Sequence, residues 1–425
     1  MSEQTIGTTC VQGGYHPGDA EPRQVPIYQS TTWKYDTSEH MGKLFDLEES
    51  GYFYSRLQNP TCDLVAAKIC EMEGGAAAML TSSGMAANFL AIFNVAGAGD
   101  HVVASSAIYG GTYNLLAHTM GRMGVTCTFV APDCTDEELE AAFQPNTKLV
   151  FGETIANPAL AVLDIERFAK AAHDHGVPLM VDNTFPTPVM CRPFEWGADI
   201  VTHSTTKYMD GHAAYLGGVI VDGGNYNWAN GKFPQIDGPS EGYHGLNLHE
   251  AFGPAAFIVK CRVDGLRDLG CCPSPFDSYL MMIGLETLSL RVKHQVESTW
   301  KLAEYCRSHP KVERVSFVGF DTHPSHENAR KYYRYGSSAV FTVELKGTLE
   351  STVRFVESLR LAANMTMIGD SITVVTHPAS TTHKQLSDAD LTAAGVPPTL
   401  LRISLGLENA DDLIEDFEQA FAQIG

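Results

Sequence analysis

"ADIVTHSTTKYMDGHAAYLGG", residues 198–218, begins as a strand and ends in a polar, glycine-bearing turn. Asp199–Thr205 is rich in the β-branched residues of a buried strand, and a single lysine, Lys207, stands just past it behind Ser204, Thr205 and Thr206. A lone lysine is ordinarily a surface residue, but this one falls where a buried strand meets its loop. In open α/β sheets that is where ligands gather, at the carboxyl ends of the strands.

Outward from this stretch, short apolar runs recur at Ala77–Leu80, His101–Ala104, Thr126–Val130, Lys148–Phe151, Pro178–Val181 and Ile200–Thr202. Helical stretches separate them, which predicts an α/β fold whose mostly parallel sheet is flanked by helices. Residues 1–60 lack periodicity, carry turn residues such as Gly13-Gly14 and Asn59-Pro60, and read as an extended arm. Residues 61–274 read as the large domain, with 223–275 as a long loop of little regular structure. Residues 275–425 read as a smaller C-terminal α/β domain. It has a helix from Leu285 to about Arg307, strands at Val312–Val318, Ala339–Leu345, Ile372–Val375 and Leu400–Leu405, and a last amphipathic helix presenting Leu413, Ile414, Phe417 and Phe421.

Bulk properties narrow the function. The 425 residues are 44% hydrophobic and 19% charged, ordinary values for a globular protein. Fifty acidic against 29 basic side chains leave a net charge of −21, a field that repels phosphate backbones and anionic lipid. Neither nucleic acid nor membrane is expected as a partner. No apolar run approaches the roughly 18–20 residues of a membrane span, and the N-terminus lacks a secretory pattern. The ten cysteines show no paired metal-ligand spacing, so reduced thiols, no metal and a cytoplasmic location are expected.

Four strand ends carry candidate chemistry. Thr81-Ser82-Ser83-Gly84-Met85 follows one strand and opens a helix, offering hydroxyls and free N–H groups to a phosphate, although Ser83 alone reads as an N-cap. Tyr109 before Gly110-Gly111 can stack on a flat ligand. Asp182 ends a buried strand and, as a buried charge, calls for a cationic partner. Lys207 supplies an amine. A planar cofactor with a phosphate, a protonated ring nitrogen and an aldehyde needs these four groups, and pyridoxal 5′-phosphate is that cofactor. Lys207 would hold its aldehyde as a Schiff base, Asp182 its ring nitrogen, and Tyr109 its face. Ser83, Ser204, Thr206 and the N–H groups of Gly84 and Met85 would hold its phosphate.

These segments, with Tyr54-Ser55-Arg56, Glu73-Gly74-Gly75, Val181-Asp182-Asn183-Thr184, His203–Tyr208, His377-Pro378-Ala379-Ser380 and Leu401-Arg402-Ile403-Ser404, closely resemble the cystathionine γ-synthase-like family of pyridoxal-phosphate enzymes of cysteine and methionine metabolism. The resemblance runs through nearly the whole chain in order. It implies the fold type I of pyridoxal-phosphate-dependent transferases and a homotetramer built as a dimer of dimers. It also implies that Tyr54 and Arg56 reach across the dimer to a neighbour's cofactor phosphate, and that Arg402 clamps the substrate α-carboxylate. Asn157 would lie near the cofactor's 3′-oxygen and the substrate carboxylate, Thr184 beside the cofactor, and Ser380 beside the substrate.

Within the family the chain is most similar to O-acetylhomoserine sulfhydrylases. The implied reaction is γ-replacement: O-acetyl-L-homoserine and sulfide give homocysteine and acetate, and methanethiol in place of sulfide gives methionine. Lys207 would move the protons at Cα and Cβ, and Tyr109 would handle a proton near the leaving group. The alternative is methionine γ-lyase, whose members typically carry Cys where this chain has Gly111. Met367 and Asp210 depart from the residues relatives usually carry there. A cofactor-binding protein without catalysis is a third reading, and it would predict loss of Lys207 or Arg402.

Overall fold

The computed structural model describes residues 5–156, 160–381 and 396–424. Strands β1 (Ala77–Thr81), β2 (His101–Ser105), β3 (Thr126–Val130), β4 (Thr147–Glu153), β5 (Leu179–Asp182), β6 (Ile200–Ser204) and β7 (Gly218–Asp222) form one sheet in the order β1-β7-β6-β5-β4-β2-β3. From β3 to β6 the pairing is parallel, and β7 runs antiparallel to both β6 and β1. The lysine turn reverses the chain into β7, which places Ser204 opposite Gly218 and Gly218 opposite Thr81. The end of the lysine strand and the end of the serine strand thereby share one row.

Four helices lie early in the chain: α1 (Ile6–Gln12), α2 (Ser38–Phe45), α3 (Pro60–Glu73) and α4 (Gly84–Val95). Strand alternation sorts the sheet's side chains between two cores. Val150, Val181, Val201 and Val219 bury with Val65 and Ile69 of α3, whereas Phe151, Met180, Ile200 and Ile220 bury with Leu90 and Ile92 of α4. The arm is more ordered than its sequence predicts. Ile6 and Cys10 of α1 join the first core, and Leu44 of α2 packs with Phe53 and Leu57.

Residues 223–275 differ from the expected loop. Strands β8 (Pro239–Ser240) and β9 (Leu246–Asn247) form a small ribbon, and helical turns cover Leu248–Phe252 and Ala256–Leu269. Ala256, Phe257, Ile258 and Cys261 are buried in the α4-side core. This helical face was hidden because Gly253-Pro254 and Gly270 punctuate a run too short to show its period.

Beyond it, β10 (Val312–Ser316), β11 (Val340–Leu345), β12 (Ala363–Asn364), β13 (Val374–Thr376) and β14 (Leu400–Ser404) form a second sheet in the order β10-β11-β14-β13-β12. Phe341, Val343, Leu401 and Ile403 pack there on Phe355, Phe417 and Phe421. The helix expected from Leu285 to about Arg307 is Leu288–Ser308, and a further helix, Pro275–Glu286, precedes it. Helix Leu288–Ser308 bridges the sheets: Val292 and Val296 bury in the first core, Leu302 and Cys306 in the other. All ten cysteines are free thiols, and among the described residues no helix is long and apolar enough to cross a membrane.

Candidate active site

α4 starts where Ser83 caps it, the Ser83 Oγ accepting the Ala86 N–H at 3.1 Å. The next two N–H groups, of Gly84 and Met85, find no acceptor among the described residues. A Cβ on Gly84 would lie 2.5 Å from the Cβ of Ser204, so only glycine lets the helix start touch the lysine strand so closely. The Thr206 hydroxyl accepts the Gly217 N–H at 3.0 Å and ties the turn to the strand that returns from it.

Asp182 is buried at the end of β5. Its Oδ1 accepts the N–H of Thr184 at 3.0 Å and the Thr184 hydroxyl at 2.5 Å, and its Oδ2 accepts the Asn88 amide at 3.1 Å. The Ser204 N–H in turn donates to Thr184 Oγ at 2.8 Å. The cationic partner that its burial calls for is therefore one that a ligand supplies. Among the described residues every donor to this carboxylate is neutral, which leaves its charge to be met by a bound cation. Asn88 was missed, although it interrupts the otherwise apolar start of α4.

Glu153, also missed, is the Cα partner of Asp182 on β4 and accepts the Tyr109 N–H. Burial, then the neighbouring Asp182 charge, raises its carboxyl well above the ordinary range. Tyr109 itself is 49% exposed at the mouth of the site, as a ring that stacks on a ligand would be.

The Lys207 amine donates to Met367 Sδ at 3.3 Å. Burial, and then the Arg402 charge, lowers its pKa from the ordinary lysine value. Arg402 is buried on β14, its Nη2 donating to Met367 O at 3.2 Å and Thr376 Oγ at 3.1 Å. Ser380 follows β13, and its Oγ lies 2.8 Å from His377 Nδ1. The His377 Nε2 is 2.7 Å from Pro398 O and must donate there, so Nδ1 accepts the serine proton.

A third missed residue supports the lysine turn from beneath. Arg291 is buried, with Nη1 on Tyr208 O at 2.7 Å and Nη2 on Gly284 O at 2.7 Å. Gly211, at φ 71°, passes so near that a Cβ there would sit 2.0 Å from Arg291 Nη1. Asp210 is buried too, its carboxylate accepting the Ala214 N–H at 2.7 Å beside this guanidinium's field.

Not every expected residue joins the cluster. Asn157 lies outside the described residues. Tyr54 and Arg56 sit together, guanidinium 5.3 Å over the ring, in a 290 Å³ cavity shared with Tyr243 and Arg267, away from Lys207. A 580 Å³ cavity between residues 44–58 and α3 is lined by none of Ser83, Tyr109, Asp182, Lys207 and Arg402.

Comparison with known proteins follows the same lines. A family described as Cys/Met metabolism PLP-dependent enzyme matches residues 7–422. O-acetyl-L-homoserine sulfhydrylase 1 of Thermus thermophilus is 44% identical over 420 residues, covering 98% of this chain and 99% of that protein. Homocysteine synthase of Schizosaccharomyces pombe is 45% identical, covering 99% of each. A crystal structure from Campylobacter jejuni, described as an O-acetylhomoserine (thiol)-lyase with N'-pyridoxyl-lysine-5'-monophosphate at position 205, superposes with a TM-score of 0.94 at 35% identity, covering 99% of this chain and 100% of that one.

Proposed function

The chain belongs to the Cys/Met metabolism PLP-dependent enzyme family, and from that premise we propose that it replaces the acetate of O-acetyl-L-homoserine with sulfide, giving L-homocysteine, or with methanethiol, giving methionine. No observation favours methionine γ-lyase. The substrate is a small amino acid. The single observation that carries the reading is the meeting of a half-buried amine, Lys207, with a buried guanidinium, Arg402, from the other sheet, both on Met367.

The residues present fit pyridoxal phosphate. Asp182 is a buried carboxylate whose protein donors are all neutral, which suits a protonated ring nitrogen, and the helix start at Gly84 offers two N–H groups without acceptors, which suits a phosphate. Ser83, Gly84, Met85, Ser204 and Thr206 would hold the phosphate, Thr184 would orient Asp182, Tyr109 would cover the ring, and Lys207 would hold the aldehyde. When bound, the cofactor supplies an electron sink for carbanions next to the amino group.

The chain's own groups do the rest. Arg402, helped by Ser380, holds the substrate carboxylate and so fixes which bond at Cα faces Lys207. Lys207, its pKa lowered first by burial, is free to take the Cα proton and then one from Cβ, whose removal lets acetate leave from Cγ. Tyr109 carries a proton near the departing acetate.

The same reading extends to organisation. Residues 1–60 serve as an arm, 61–274 hold the cofactor, and 275–425 close over the substrate. Four chains assemble as a dimer of dimers, with Tyr54 and Arg56 completing the neighbour's phosphate site, and the free thiols suit the cytoplasm. The exposed ring of Tyr54, with Arg56 beside it in a cavity that Lys207 does not line, supports that exchange. A product assay across O-acetylhomoserine, O-succinylhomoserine, cystathionine and methionine tests the reaction. Homocysteine and acetate from O-acetylhomoserine plus sulfide are expected, and 2-oxobutyrate from methionine as the dominant product would overturn the assignment.

A further inference from the structure

Met367 touches both working side chains. Its Sδ accepts from Lys207 Nζ at 3.3 Å, and its carbonyl oxygen accepts from Arg402 Nη2 at 3.2 Å. Among the described residues that sulfur is the amine's one hydrogen-bond partner. The loop behind it is fixed on three sides. The Gly369 N–H donates to Ser404 Oγ at 3.0 Å, the Gln295 amide donates to Asp370 O at 2.8 Å, and the Ser371 N–H donates to Gly211 O at 2.9 Å.

A thioether is a weak acceptor with no proton to give. It replaces little of the hydration an ammonium loses on burial, and a neutral amine needs little replaced. The charged and titratable groups around the amine are Arg402 from β14 and, facing Arg402, Tyr208 from the lysine turn and Tyr109 from the loop after β2. Among the described residues no carboxylate pairs with it.

We propose that Met367 is a specificity-determining residue, an apolar stop that keeps Lys207 in its neutral form and so favours sulfur over a proton at the substrate's γ-carbon. The proposal rests on the γ-replacement reading. In that reaction hydrosulfide forms the C–S bond at the γ-carbon, the C–O bond breaks, and acetate leaves with the electron pair. In the competing outcome the γ-carbon takes a proton instead, and water releases the skeleton as 2-oxobutyrate and ammonia alongside acetate. Lys207 carries the protons it takes from the substrate: an ammonium that lingers beside the γ-carbon supplies the competing proton, whereas one that only a thioether faces sheds it first.

Two variants separate the effect from packing. Met367→Gln brings a strong carbonyl acceptor to a similar reach, and Met367→Leu keeps an apolar stop. The full chain, prepared without pyridoxal phosphate, is pulsed with acetic anhydride across pH, and Lys207 acetylation is read by peptide mass spectrometry. The midpoint should rise by about one pH unit in Met367→Gln and stay in place in Met367→Leu. With loaded enzyme, O-acetylhomoserine and excess sulfide, the 2-oxobutyrate fraction should rise about tenfold in Met367→Gln, the equivalent of that one-unit change in lysine protonation, and hold in Met367→Leu. An unchanged midpoint or an unchanged fraction in Met367→Gln, or equal changes in both variants, overturns the proposal. If the wild-type enzyme forms no homocysteine, the γ-replacement reading falls instead, and the acetylation midpoint still reports on Met367 alone.

Discussion

Single groups in this protein are tuned by what surrounds them. The proposed base, Lys207, is held by a buried turn, and replacing it with Ala should lower homocysteine formation by roughly 10²–10⁴-fold or more without changing the far-ultraviolet circular dichroism. A rate within tenfold of wild type would show that another group does the proton transfer. Arg402→Lys keeps the charge but loses the planar fork, so KM for O-acetylhomoserine should rise on the order of 10–100-fold while folding is preserved. Asp222 offers a stability test remote from the reaction. Burial pushes its carboxyl up to about 7, against the Gly224 N–H bond and with the Asp199 charge adding to the rise. The folded chain therefore holds this proton more tightly than the unfolded one. The resulting stability is full below about pH 4 and is lost as pH climbs through about 7. Asp222→Asn should remove that slope, so its thermal stability relative to wild type should improve between pH 5 and pH 8 by on the order of 2–4 kcal/mol. Parallel pH profiles for the two proteins would refute it.

Among the elements, helix Leu288–Ser308 couples the halves of the site. Arg291 grips the carbonyls behind Lys207, and Gln295, one turn on, grips the loop that carries Met367. Arg291→Met would leave buried carbonyls without donors, and chemical denaturation should show a loss on the order of 3 kcal/mol. A loss below about 0.5 kcal/mol, the range of ordinary surface changes, would mean water replaces the guanidinium without strain. The helix also shows what sequence reading could and could not reach. Strands β1 to β6 were legible because each is a short apolar run bounded by turn residues. Ser83, Asp182, Lys207 and Tyr109 were legible because each sits at the end of such a run. β7 was not recognised as an antiparallel return, since strand direction is set by the turn before it. Asn88, Glu153 and Arg291 escaped because their roles depend on what they face across a helix or a strand, and linear spacing carries no trace of it. At Asp182 the neutral donors satisfy the oxygens without cancelling the charge, which leaves the cation expected there to a ligand.

At the scale of the whole molecule, the proposed exchange of arms between subunits makes activity a property of pairs. Subunits carrying Arg56→Ala and subunits carrying Lys207→Ala should each be nearly inactive. Unfolded and refolded together in equal amounts, they should regain about one quarter of wild-type activity, because half the dimers are mixed and each of those has one intact site. No recovery on mixing would place the Arg56 requirement within a single chain. The division of the cluster between two sheets has a further effect during protein synthesis. Ribosomes release the sheet bearing Lys207 well before β14, and early segments commonly fold first. A nascent polypeptide can thus assemble its coenzyme cradle while it still lacks Arg402, so if Arg402 is the grip on the amino acid that we propose, translation itself keeps the unfinished enzyme silent until that residue has emerged.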